Sequence, residues 1–146
     1  METTAVDVDQ LAVAHALERV ISWLRDSREP AGLSASAISA LVRLESLGSL
    51  RVTELSAREG LTQPGMTTLI NRLEDAGLAI READPSDGRA VRVTITAAGL
   101  ERVREHRTAR TARIAERLTT LSEGERRALL RALPALEAFG ADVAPN

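Results

Sequence analysis

Apolar residues recur with helical spacing along most of the chain. Leu11, Ala14, Leu17, Val20, Ile21 and Leu24 follow i, i+3, i+4 steps, which predicts an amphipathic helix over about 8–28, ended by Pro30 and Gly32. A second helix is expected from about Ser34 to Leu47, with Ile38, Leu41, Val42 and Leu44 inward and Gly48 at the left-handed C-terminal position. A short helix follows from Thr53, its expected cap, to Gly60, its expected close. Thr62 then caps a helix from Gln63 to about Ala76, closed by Gly77, with Met66, Leu69, Ile70 and Leu73 as its buried stripe.

The period changes after Gly77. Leu78 to Glu82 reads as a short strand, and Asp84-Pro85-Ser86-Asp87-Gly88 is dense in turn residues. Val91, Val93 and Ile95 alternate with Arg92 and Thr94, the pattern of a half-buried strand, so the two strands predict a hairpin. Thr96 caps a long helix to about Thr120, and Ser122 with Glu125 signals the last helix, about 123–139, followed by a tail from Ala141. The predicted fold is mainly α with a small β-hairpin. Residues 33–96 form one small core as a winged helix-turn-helix, and 1–32 and 97–146 form a helical region around it, the whole a single intertwined domain.

The flanking helices carry more apolar surface than their own contacts can cover. Leu11, Leu17, Val20 and Leu24 at one end and Leu121, Leu129, Leu133 and Leu136 at the other therefore predict a two-fold homodimer.

Composition narrows the function. The 146 residues contain no Cys, which excludes a disulfide framework, a zinc finger and a thiol nucleophile. One Trp, one Phe and no Tyr argue against a base-stacking platform for single strands. Two His on separate helices give neither a metal spacing nor a catalytic constellation, so no enzyme, metal or cofactor is expected. No apolar run approaches a membrane span and the start does not resemble a signal peptide, so a soluble cytoplasmic protein is expected. The net charge is −2, so DNA binding would rest on local placement of charge. All 19 basic residues are Arg, which GC-rich coding explains better than phosphate binding does.

Two helices joined through Gly60-Leu61-Thr62 and followed at once by a hairpin have the layout of a winged helix. A helix fits the major groove, where each base pair shows a distinct donor and acceptor pattern, and a hairpin beside it reaches the flanking minor groove. The segment from Leu61 to Leu78 resembles the recognition helix of the MarR family of bacterial transcriptional regulators. Asp87-Gly88-Arg89 through Ile95-Thr96 is similar to that family's D-x-R wing signature, with Ile95 where the family has Leu. Pro64 and Gly65 stand where the family often has hydroxyl or small polar residues. The resemblance implies a sequence-specific regulator of double-stranded DNA, acting as a repressor released by a small phenolic or lipophilic ligand. A winged-helix module that binds protein instead of DNA is the alternative.

The expected DNA-binding residues are Thr62, Gln63, Pro64, Thr67, Thr68, Asn71, Arg72, Arg81, Asp87 and Arg89. Gln63 and Asn71 carry amides suited to adenine edges, and the Thr methyls suit thymine methyls. The Thr68 hydroxyl or the helix N-terminal amides suit phosphate. Arg72 suits phosphate or an acidic neighbour, and Arg81 and Arg92 flank the wing. Arg89 at the wing tip suits the narrow, electronegative minor groove. The resemblance implies that Asp87 orients the wing through an Arg. His15 and Trp23, two turns apart on the first helix, line a ligand pocket or belong to a solvated face and a dimer core. The stretch 106–112 lacks large apolar residues, which leaves a void or allows close packing on Ala. The stripe Arg104, Arg107, Arg110, Arg113 and Arg117 lies among acids and reads better as a solvated face than as a phosphate contact.

Overall fold

The computed structural model describes residues 8–26 and 32–141; the side chains of Val8, Asp26 and Arg89 lie outside the description. Helix α1, Val8–Asp26, belongs to one compact unit, and the chain from Leu33 onward forms a second. The expected end of α1 at Pro30 lies outside the described residues.

The second unit runs α2 (Ala35–Leu47), β1 (Leu50–Arg51), α3 (Val52–Glu59), α4 (Gln63–Asp75), β2 (Ala79–Asp84), β3 (Asp87–Ile95), α5 (Ala97–Thr119) and α6 (Glu123–Ala141). Ser34 caps α2 by accepting from the Ala37 N–H, as its position at the start of the apolar period requires. The start of α3 departs from expectation. Arg51, not Thr53, is its cap residue, and the Glu54 carboxylate accepts from the Arg51 N–H at 2.7 Å. The displacement follows from β1, which holds Arg51 in extended geometry and sets the cap two residues earlier. Gly60 closes α3 at φ 64°, a left-handed conformation that a side chain would strain.

The hairpin is longer than the sequence suggests. Asp84 and Asp87 pair across a turn reduced to Pro85 and Ser86, because the Asp84 side chain itself accepts from the Ser86 N–H and replaces a wider loop. The register slips next to it: Ala83 faces Val91 while Asp84 faces Asp87, so the stretch holding Gly88 and Arg89 is extra chain on β3. Strand β1 pairs with β3 through Leu50↔Val93 and Arg51↔Arg92, giving the order β1-β3-β2. Of the three alternating apolar residues of β3, Val93 is buried, Ile95 is half-buried and Val91 is 43% exposed, since the core ends before the hairpin does.

The core joins Leu41 and Leu44 of α2, Leu50 of β1, Leu55 of α3, Met66, Ile70 and Leu73 of α4, Val93 of β3 and Val103 of α5. Each such side chain contributes about 1.5–3 kcal/mol on burial. Val42 is only half-buried, and Ile38 is buried as expected. Helix α6 runs to Ala141, begins with the Ser122–Glu125 pair and buries no residue in the single chain. Residues beyond it lie outside the described part. The first turn of α5 lies directly on the α4–β2 turn: a Cβ on Gly99 would sit 2.2 Å from the Leu78 carbonyl oxygen and 2.6 Å from Ile95 Cγ1. Backbone cannot yield as a side-chain tip can. Gly99→Ala is therefore expected to destabilise the fold by about 1–3 kcal/mol, read by urea denaturation; an unchanged midpoint would contradict this packing.

Candidate nucleic-acid interface

Helix α4 divides cleanly by face. Met66, Leu69, Ile70 and Leu73 are buried, whereas Gln63, Pro64, Thr67, Thr68, Asn71 and Arg72 are all exposed. The helix therefore presents two amides, three small or methyl-bearing side chains and one guanidinium to the outside. Thr62 caps it by accepting from the Gly65 N–H at 3.3 Å, so this hydroxyl also serves the helix end. The Thr68 hydroxyl donates to the Pro64 carbonyl at 3.0 Å, which leaves its oxygen lone pairs to accept. Arg72 has no carboxylate within ion-pair distance among the described residues.

Arg81 is committed to α4. Its guanidinium pairs with Glu74 and its N–H donates to Glu74 Oε1 at 2.9 Å, so the residue fastens β2 to the recognition-type helix. Arg92 donates from Nε to Ser49 Oγ at 3.2 Å and from Nη2 to the Ser49 carbonyl, fastening β3 to the segment before β1.

The organising carboxylate of the hairpin is Asp84, which the turn-rich composition hides. It is 1% exposed. Its Oδ1 accepts from the Ser86 N–H at 2.9 Å and from Ser86 Oγ at 2.7 Å, and its Oδ2 accepts from Arg51 Nε at 2.9 Å and lies 2.8 Å from Arg51 Nη2. Arg92 Nη1 lies 3.8 Å away. These contacts, led by the Ser86 hydrogen bonds and followed by Arg51, hold the Asp84 carboxyl well below the usual carboxylate range. Arg51 is raised in turn, chiefly by its bond to Asp84. Asp87 is half-exposed and lies 3.9 Å from Arg51. The backbone of Arg89 follows within the slipped stretch of β3, and its side chain lies outside the described residues.

The remaining candidates are spread out. His15 and Trp23 share one open face of α1 with Glu18, Arg19 and Ser22. On α5, Arg104 pairs with Glu101, and Arg107 makes a bidentate pair with Glu45 of α2 at 3.0 and 2.5 Å. Thr108, Ala109, Thr111 and Ala112 are exposed in the single chain. No group of three or more His, Cys, Asp or Glu suited to a metal occurs among the described residues. No described helix is long and apolar enough to cross a membrane.

Comparison with known proteins adds to this geometry. A family model described as MarR family matches residues 33–91. The chain is 38% identical over 111 residues to an HTH-type transcriptional regulator of Mycobacterium bovis, covering 76% of this chain and 78% of that one. It is 31% identical over 132 residues to an HTH-type transcriptional repressor of Mycobacterium tuberculosis, covering 86% and 95%. Among solved structures, the YusO protein of Bacillus subtilis superimposes with a TM-score of 0.67 at 27% identity, over 92% of this chain and 93% of that one.

Proposed function

The chain belongs to the MarR family and is a DNA-binding transcriptional regulator, and from that premise we propose that two copies read one operator together. In this reading Gln63, Pro64, Thr67, Thr68 and Asn71 enter the major groove, with Thr62 and Arg72 beside them on the backbone. The hairpin carries Arg89 to the neighbouring minor groove. The observation that carries the reading is the face of α4: the side chains of Gln63, Pro64, Thr67, Thr68 and Asn71 are all exposed on a helix whose other side is core. Arg81 and Asp87 act indirectly, Arg81 by tying the hairpin to α4 through Glu74 and Asp87 by adding to the charge around Arg51.

Pairing of the copies rests on the unburied apolar side chains of α1 and α6, with Leu11, Leu17, Val20, Leu24, Leu121, Leu129, Leu133 and Leu136 at the interface. The protein acts in the cytoplasm as a repressor, and a small phenolic or lipophilic molecule releases it by favouring a spacing of the two reading helices that misses successive major grooves. His15 and Trp23 are the residues of α1 suited to such a molecule. No catalytic step is assigned to it.

Footprinting on the DNA upstream of the protein's own gene tests the reading. Arg89→Ala and Asn71→Ala are each expected to weaken operator binding by about 1–3 kcal/mol, with Asn71→Ala also relaxing the preference for adenine at its position. Unchanged affinity removes the residue from the interface. Protection of the Gln63–Asn71 face by a protein, with no duplex protected, would favour the interaction-module reading.

A further inference from the structure

The Thr96 hydroxyl joins two helices that the proposed function separates. It accepts from the Gly99 N–H at 3.0 Å and so caps α5. It also donates to the Gly77 carbonyl at 2.7 Å, in the turn that closes α4. One residue on, the Thr96 N–H donates to the Leu78 carbonyl at 3.1 Å. The turn itself is fixed to α4, since Gly77 N–H donates to the Glu74 carbonyl and Leu78 N–H to the Leu73 carbonyl, both at 2.8 Å. Gly77 takes φ 71°, and the bare Cα of Gly99 rests on the Leu78 carbonyl. The end of α4 and the start of α5 are thus in direct backbone contact at the base of the hairpin that connects them.

We propose that Thr96 is a positioning residue for DNA binding: its hydroxyl latches the α4 C-terminal turn to α5 and so fixes where the reading helix stands relative to the helices that pair two copies. The inference rests on the reading that α4 meets DNA and that two copies act on one site. A hydroxyl serves here because it accepts and donates at once. Thr96→Ser keeps both bonds. Thr96→Asp keeps the acceptor that caps α5, Asp being a strong capping residue, but has no donor for the Gly77 carbonyl. The two variants therefore separate helix capping from the latch, and both retain the cap that folding of α5 needs.

The test uses full-length protein and the duplex that the wild type protects upstream of its own gene. A second duplex has one base pair inserted between the half-sites. The wild type and Thr96→Ser are expected to bind the native spacing and to discriminate against the insertion. Thr96→Asp is expected to keep its helix content and its dimer, to bind the native duplex about three- to tenfold more weakly, the worth of one hydrogen bond, and to lose much of the spacing discrimination. The added charge of Asp weakens both duplexes alike, so the discrimination ratio is the readout that capping or charge alone would not move. Thr96→Asp retaining the wild-type ratio would overturn the latch while leaving the DNA reading intact. A wild type that protects no duplex would sink the DNA reading, and the latch with it.

Discussion

The double substitution Leu133→Glu with Leu136→Glu is expected to give a folded monomer that has lost operator binding by about 10²–10⁴-fold, the advantage that linked sites have over single ones. The reason lies in α6. None of its residues is buried in the single chain, yet Leu129, Leu133 and Leu136 remain exposed along it, and Leu130 and Phe139 are 69% and 70% exposed. A contiguous apolar face of this kind signals an interface. Neither residue belongs to the buried core of the single chain, so helix content and thermal unfolding of the 33–96 core are expected to persist. Sedimentation and fluorescence anisotropy on the promoter duplex give both readouts. A variant that stays dimeric, or a monomer with wild-type affinity, would refute the pairing through α6.

Asp84→Asn is expected to have the second large effect. The substitution keeps shape but removes the charge that Arg51 donates to from Nε and approaches from Nη2, and it leaves that guanidinium beside a neutral partner. Arg51 is at once the end of β1 and the cap residue of α3, and Arg92 lies on β3, so one carboxylate ties the wing to the first helix of the helix-turn-helix. Its loss is expected to lower thermal stability and to weaken operator binding by about tenfold, since neutral bonds replace the charge-assisted hydrogen bonds that Arg51 makes to a buried carboxylate. The pH dependence has a fixed sign. Asp84 titrates lower when folded than when unfolded, so its contribution is complete above the unfolded carboxylate value of about 4 and fades as pH falls towards the folded value. The difference in melting temperature between wild type and Asp84→Asn should be constant across pH 5–8 (roughly the range in which Asp is fully ionised) and shrink below about pH 4. A difference that persists undiminished into acid would show that the charge of Asp84 is not what stabilises the wing.

Particular residues show what the sequence could and could not reveal. The face of α4 was legible because Met66, Leu69, Ile70 and Leu73 keep a strict helical step and Thr62 and Gly77 mark the ends. Thr96 was legible as a cap, but its bond to Gly77, nineteen residues away, is tertiary and leaves no local pattern. Strand β1 was missed because two residues are too short to show a period, and with it went the cap at Arg51. In the sequence Asp84 reads as a turn residue, since Asp, Pro, Ser and Gly together signal a surface loop. Its burial depends on Arg51, thirty-three positions earlier. A charged residue inside a turn cluster, with Ser two positions on, is the one local trace of that arrangement, because a side chain that accepts from the backbone two residues later tightens a turn. Asp87 is legible through its likeness to a wing signature, whereas the shorter contact of Asp84 with Arg51 has no counterpart in that signature.

Hydrogen–deuterium exchange of the wild-type protein, free and mixed with the duplex upstream of its own gene, tests the central claim most directly. Slowed exchange confined to the α4 start from Gln63 to Asn71 and to the wing around Arg89, in a complex of two chains per duplex, is the predicted result. Exchange unchanged at both places while the duplex is bound elsewhere on the surface would contradict it.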